Sequence, residues 1–388
     1  MHPTTRWAKF HFAFAVFAIC FEISHPRTCV EANFQNIDTR KSQTQLGQIE
    51  LPAPTGPFAI ATKTYHWVDR SRIEKATSSP QDYRQLVVQV WYPTEDRSGP
   101  LAPYIPMLEA YRHIWGDADV EIAGRVITHS RLNKKPPPGT KFPVVLFSHG
   151  WQGTRSEYTS IAEDLASRGY VVIGIDHPYM GRVLLPDGRV TEATEDQFQS
   201  PEEIQQYYAK DVQFTIDNIT RLDTADPDDT FRGRLDLSPI AAIGHSSGFV
   251  AAGTACTLDR RIRACVNVDA PKFSAAQLVG LYQPLLWIRL ERAGPPPAEF
   301  LKAARSSVYE LRITGAKHSS VEDWDYLEAE SPLQRDVAAK QLQLIRKYLG
   351  AFLGAQLRGE KSTLLEENCS NPELTLTVYR PKRNGVLH

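Results

Sequence analysis

The chain has 388 residues, 42% hydrophobic and 23% charged, a balance typical of a folded globular protein whose core can bury a catalytic site. Its net charge of −1, with acids and bases interspersed, gives no general attraction to nucleic acid or to an acidic surface. No internal repeat and no long low-complexity tract divides it, and the length is generous for one domain and short for two large ones.

The N-terminus reads differently from the rest. Arg6 and Lys9 precede an apolar run from Phe10 to Ile23, which suits a signal-peptide core and is short for a membrane span. Val30-Glu31-Ala32 is a small-residue cleavage pattern, so residues 1–32 are expected to be a signal peptide, with an uncleaved anchor as the alternative. Secretion or a periplasmic location follows. Ala18 and Ile19 before Cys20 do not make a lipoprotein box. Cleavage would remove Cys20 and Cys29 and leave Cys256, Cys265 and Cys369, so at most one internal disulfide is possible. Cys256 and Cys265 are the nearest pair, and two buried free thiols are an equal alternative. No CxxC and no Cys/His spacing points to zinc, so neither metal nor cofactor is implied.

Residues 33–50 read as a polar linker. A structured domain is expected over 51–356, entered through Pro52, Pro54, Gly56 and Pro57. Leu86 to Tyr92 reads as a strand stopped by Pro93. Prolines 136–138 mark a loop, and the fully apolar Phe142–Ser148 reads as a buried central strand. A helix is expected from Ser156 to Ser167, closed by Gly169. Tyr170–Ile175 is a second buried strand, followed by a helix over 202–222. Ser238–Ile243 is a strand, Ser247–Leu258 a helix and Arg263–Val268 a strand. Leu285–Leu290 and Val308–Ile313 complete the strands. A last helix runs from Leu333 to Leu353, its Ile345, Leu349 and Phe352 stripe packing on the sheet, and 357–388 is a C-terminal tail. Alternating strands and helices imply a mostly parallel sheet with helices on both faces and a site at the carboxyl ends of the strands.

Gly244-His245-Ser246-Ser247-Gly248 fits G-x-S-x-G, with an apolar strand before it and a helix-forming stretch after it. In that setting the motif is the nucleophile elbow of an α/β-hydrolase fold. A serine at a sharp strand-to-helix turn must have neighbours without bulk, and the helix start offers N–H groups to negative charge. The residue after the nucleophile, Ser247, supplies a backbone N–H to the oxyanion hole. A second N–H must come from Phe147–Gly153, and Trp151 is the expected donor. His149 is expected to help hold that loop or to border the substrate pocket. The serine needs a base, and the base needs a carboxylate, in the chain order Ser, Asp or Glu, His. Asp269 directly follows a strand. Apart from terminal His388, His318 is the single histidine after it and also stands just past a strand.

These segments together resemble the secreted, lipoprotein-associated type of platelet-activating factor acetylhydrolase and its bacterial relatives. The similarity runs through Pro54–Phe58, Val90–Pro93, Leu146–Gly150, Asp164–Val172, Ile175–His177, Ile243–Gly248, Val268–Asp269 and Gly315–His318. It implies a calcium-independent ester hydrolase acting on short or oxidised acyl groups at the sn-2 position of phospholipids. It also implies Trp151 and Ser247 as oxyanion donors. The family commonly has a second glycine after Gly248, where this chain has Phe249. A ring there must push the helix from the sheet or face the acyl pocket, so Phe249 joins His149 as a pocket expectation. Relatives that are general carboxylesterases or polyester hydrolases keep those substrates open, and a non-catalytic lipid-binding protein is the alternative of another class. Transient contact with a membrane or lipoprotein surface fits a lipid substrate.

Overall fold

The computed structural model describes residues 47–271 and 281–381. The expected signal peptide, Cys20, Cys29 and His388 lie outside the described residues. The strands, in chain order, are β1 (Ile49–Glu50), β2 (Ala59–Ile73), β3 (Tyr83–Thr94), β4 (Val126–Ile127), β5 (Ser130–Leu132), β6 (Phe142–Ser148) and β7 (Val171–Asp176). They continue with β8 (Leu235–His245), β9 (Ile262–Val268), β10 (Leu285–Arg289), β11 (Val308–Ile313), β12 (Cys369–Ser370) and β13 (Leu374–Tyr379). All but β1 and β4 join one sheet, ordered β12-β13-β11-β10-β9-β8-β6-β7-β3-β2-β5.

The core of that sheet, from β7 through β6, β8, β9 and β10 to β11, is parallel. The connections explain why: helices Thr159–Ser167, Pro201–Ala225 and Gly248–Leu258 each carry the chain back over the sheet between successive strands. Alternation along the strands then fills both faces. Val144 and Leu146 of β6 pack beneath Val212 and Ile216 of helix Pro201–Ala225. Val145 and Phe147 face the other way, towards Ile161 and Leu165 and towards Ile345, Leu349 and Phe352 of helix Pro332–Arg358. The apolar stripe of that last helix is therefore spent on the sheet. Both long helices begin the same way: Ser200 and Ser331 accept the N–H groups of Glu203 and Gln334, each with proline in the first turn.

The pairing aligns the strand ends. Ser148 of β6 sits opposite Ile175 of β7 and Gly244 of β8, and His245 sits opposite Val268 of β9. The segments following β6, β8, β9 and β11 therefore leave the sheet along the same edge.

Two expectations about organisation are corrected. The segment expected as a tail over 357–388 is part of the domain as far as residue 381, since β13 pairs antiparallel with β11 and closes that side of the sheet. Its Leu374, Leu376 and Val378 alternate into the core. Residues 33–50 are not linker throughout, because Ile49 and Glu50 pair with Val126 and Ile127. The open question at Cys256 and Cys265 resolves as a disulfide joining the end of helix Gly248–Leu258 to β9. Cys369 is free and exposed. No helix among the described residues is long and apolar enough to cross a membrane.

Candidate active site

Ser246 stands between β8 and helix Gly248–Leu258 with φ 51°, the left-handed conformation that costs a non-glycine residue roughly 1–2 kcal/mol. Its surroundings hold it there. The Ser246 N–H donates to Val268 O at 2.9 Å, and Ser246 O accepts from Phe249 N–H at 3.1 Å. A methyl at Gly248 would lie 2.2 Å from Ser148 O and 2.4 Å from His149 O. Only glycine lets the helix start approach the end of β6 so closely. A methyl at Gly150 would lie 3.5 Å from the Ser246 Cβ, which sets the loop after β6 directly beside the serine. Among the described residues the backbone N–H groups of Trp151 and Ser247 donate to no protein acceptor.

Asp269 follows β9, also left-handed with φ 50°. It is fully buried, and its carboxylate accepts the backbone N–H groups of Leu290, Glu291, Arg292 and Ala293 at 2.8–3.3 Å. Asp269 Oδ2 also lies 2.6 Å from His318 Nδ1. Burial alone would raise the carboxyl pKa; the hydrogen bonds from His318 and from the Ala293, Arg292 and Leu290 amides outweigh it and bring it to about 2. The group is therefore a carboxylate at neutral pH, and it fixes the proton of His318 on Nδ1. His318 opens the short turn His318–Val321 after β11, and its N–H donates to Glu291 Oε2 at 3.0 Å. The three sequence-derived residues thus follow β8, β9 and β11 on one edge of the sheet, with His318 hydrogen-bonded to Asp269.

A second Ser–His–Asp arrangement lies beneath this edge. Ser148 Oγ is 3.0 Å from His177 Nε2, and His177 Nδ1 is 2.9 Å from Asp211 Oδ2. All of its side chains are buried, and Arg84 pairs with Asp211 through Nε at 3.1 Å and Nη2 at 2.6 Å. Ser148, at the end of β6, is 1% exposed and no substrate reaches it, so this arrangement is a support for the loop above it. His177 N–H donates to His149 Nε2 at 3.0 Å, and His149 Nδ1–H donates to Gly150 O at 2.7 Å. Burial, then the neighbouring His177, lowers the His149 pKa to about 3, and the ring is neutral.

The two pocket expectations need correction. His149 is fully buried behind the loop and holds it from below. Phe249 is fully buried too, within the core beneath the elbow helix, its ring centroid 6.5 Å from that of Trp287. A methyl at Gly253 would lie 3.0 Å from the ring, so a glycine one turn along the helix gives the ring its space. Helix and sheet remain in contact because the bulk is taken up there. Glu291 and the Ser148 network were missed in the sequence, since each acts through a contact between segments distant in the chain.

Residues 44–183 match the family model of platelet-activating factor acetylhydrolase, isoform II, and residues 143–301 match that of the alpha/beta hydrolase fold. A solved ferulic acid esterase from Streptomyces cinnamoneus superposes with a TM-score of 0.71 at 30% identity, covering 85% of this chain and 99% of its own. The chain belongs to the platelet-activating factor acetylhydrolase isoform II family. Among relatives in that family, the platelet-activating factor acetylhydrolase of Cavia porcellus is 23% identical over 93% of this chain and 92% of its own. A probable 1-alkyl-2-acetylglycerophosphocholine esterase of Arthroderma benhamiae is 26% identical over 81% of this chain and 90% of its own. As a family member the chain is a carboxylic ester hydrolase on the α/β-hydrolase fold.

Proposed function

We propose that Ser246, His318 and Asp269 hydrolyse short or oxidised acyl esters, sn-2 acetyl-type phospholipids foremost, through an acyl-enzyme. The observation that carries the reading is the His318–Asp269 pair at 2.6 Å, its carboxylate held by four backbone amides, on the edge where Ser246 stands in its left-handed turn. With Nδ1–H committed to Asp269, Nε2 is left to take the Ser246 proton as Oγ attacks the ester carbonyl. The backbone N–H groups of Trp151 and Ser247 meet the oxyanion. His318 returns the proton to the leaving alcohol, then activates water against the acyl-enzyme, while Asp269 stabilises the imidazolium.

The names of the relatives support the phospholipid substrate. A simple carboxylesterase is the second reading, favoured by the ferulic acid esterase neighbour at 30% identity. A panel of short-acyl phospholipid, long-acyl phospholipid, p-nitrophenyl acetate and a polyester separates them. Turnover of the short-acyl phospholipid well above the long-acyl one is expected; turnover of simple esters alone would reject the phospholipid reading. We assign a secreted or periplasmic location on the strength of the N-terminal sequence pattern.

A further inference from the structure

The buried phenol of Tyr158 touches three segments of the active-site edge with one oxygen. It accepts the Gly150 N–H at 3.1 Å, from the loop that carries the proposed oxyanion donor. It lies 2.8 Å from His245 Nδ1, in the residue immediately before Ser246. It donates to Glu322 Oε1 at 3.2 Å, directly after the turn His318–Val321. The ring is fixed by packing on Phe147, with centroids 4.5 Å apart, and is 1% exposed.

A phenol has one proton to give and can accept two. The arrangement uses each once: Gly150 N–H and His245 Nδ1–H donate to the oxygen, and its own proton goes to Glu322. This assigns the Nδ1–H tautomer to His245 and leaves Nε2 as a buried acceptor without a protein partner. A bare acceptor is the cheaper group to leave unpaired, since an orphaned buried N–H is the rarer occurrence. Burial and the nearby Glu322 and Glu157 carboxyls raise the Tyr158 pKa well above its usual value, so the hydroxyl stays neutral. The His245 ring stands 4.5 Å, centroid to centroid, from that of His318.

We infer that Tyr158 is a positioning residue for the ester hydrolysis, its hydroxyl setting the spacing between the oxyanion loop, the nucleophile elbow and the turn that carries the base. The inference rests on the serine-esterase reading. Tyr158 is buried and acts through Gly150, His245 and Glu322. Without the hydroxyl all three lose a shared anchor, and each segment is free to relax by tenths of an ångström while the substrate-binding surface stays as it was. The loss therefore falls on the transition state, not on ground-state binding.

The test is Tyr158→Phe, which keeps the ring and removes one oxygen, assayed on p-nitrophenyl acetate with active sites counted by fluorophosphonate stoichiometry. Per active site, kcat is expected to fall about 10- to 100-fold, with KM within twofold and the thermal midpoint within a few degrees. Glu322→Ala, at a partly exposed position that can be emptied without opening the core, is the second variant. It should show the same split, smaller, because the phenol keeps two of its three partners. If Tyr158→Phe does not fold, Glu322→Ala decides. A kcat within twofold of wild type in the folded variants, or equal losses in kcat and in active-site count, overturns the inference. Ser246→Ala run alongside separates the two levels: activity in that variant would sink the serine-esterase reading itself, whereas an inactive Ser246→Ala beside a fully active Tyr158→Phe removes only the role of Tyr158.

Discussion

Asp269 is ionised in spite of its burial because five donors converge on it, four of them backbone amides fixed by the chain after β10. Asp269→Asn keeps the size and removes the charge. An amide nitrogen in that cradle faces N–H groups, and the histidine loses the partner that keeps its proton on Nδ1. The variant is expected to fold and to lose about 10³- to 10⁴-fold in kcat; steady-state assay on p-nitrophenyl acetate checks this, and a loss under tenfold contradicts the role. Ser246, Asp269 and His318 were legible because each stands at the end of an apolar run and in the chain order the fold uses. Tyr158 and Glu322 were not, because a contact spanning 164 positions leaves no trace in local pattern. Phe249 was read wrongly because Gly253, one turn further, is where its ring is accommodated.

The elbow helix depends on close backbone approach at its first residue. In Gly248→Ala the new methyl must displace the carbonyls of Ser148 and His149, which belong to the oxyanion loop and its base, or move the helix. Either motion separates the proposed N–H donors, so kcat should fall at least tenfold; a crystal structure of the variant should show the helix start or the loop displaced, and wild-type turnover would refute the argument. At the far side of the sheet, β13 covers an edge that β11 would otherwise expose. Deleting residues 363–388 uncovers the face filled by Leu374, Leu376 and Val378, a loss on the order of 5 kcal/mol from three apolar side chains. Urea unfolding should show it as a lower midpoint, and an unchanged midpoint would return these residues to the status of a tail. The parallel strands were readable as apolar runs. β13 alternates Leu, Leu and Val with Thr, Thr and Tyr, a pattern equally readable and overlooked. β2 escaped for a better reason: Lys63, His66, Asp69, Arg70 and Arg72 interrupt a strand exposed along much of one face.

The fold as a whole commits titratable groups to its interior, and pH tests how. His149 has its pKa lowered to about 3, below the value of an unfolded histidine. Under acid the unfolded chain takes up a proton that the native state refuses, so its share of the stability is present above about pH 6.5 and falls as the pH drops towards 3. Between pH 6.5 and 5 that share is about 2 kcal/mol. Asp323 works in the opposite direction: burial raises it to about 7, so its contribution weakens as the pH rises from the unfolded carboxyl value towards 7. A difference between proteins isolates the histidine. Wild type should lose more urea stability than His149→Asn between pH 6.5 and 5, by about that amount, and equal losses would mean that the ring is not held neutral. The apolar layers of this interior were legible from periodicity. Its charged layer of Arg84, Asp211, Glu74 and His177 was not, because its members come from β3, from helix Pro201–Ala225 and from loops, and meet only when the sheet closes.

Ser246 is the residue proposed to carry the acyl group. Fluorophosphonate labelling followed by peptide mass spectrometry tests it most directly, with p-nitrophenyl acetate turnover measured on the same samples. One adduct on the peptide containing Ser246 is predicted, with adduct and turnover both lost in Ser246→Ala, the latter by about 10³-fold or more. An adduct on another residue, or near-wild-type turnover by Ser246→Ala, would contradict it.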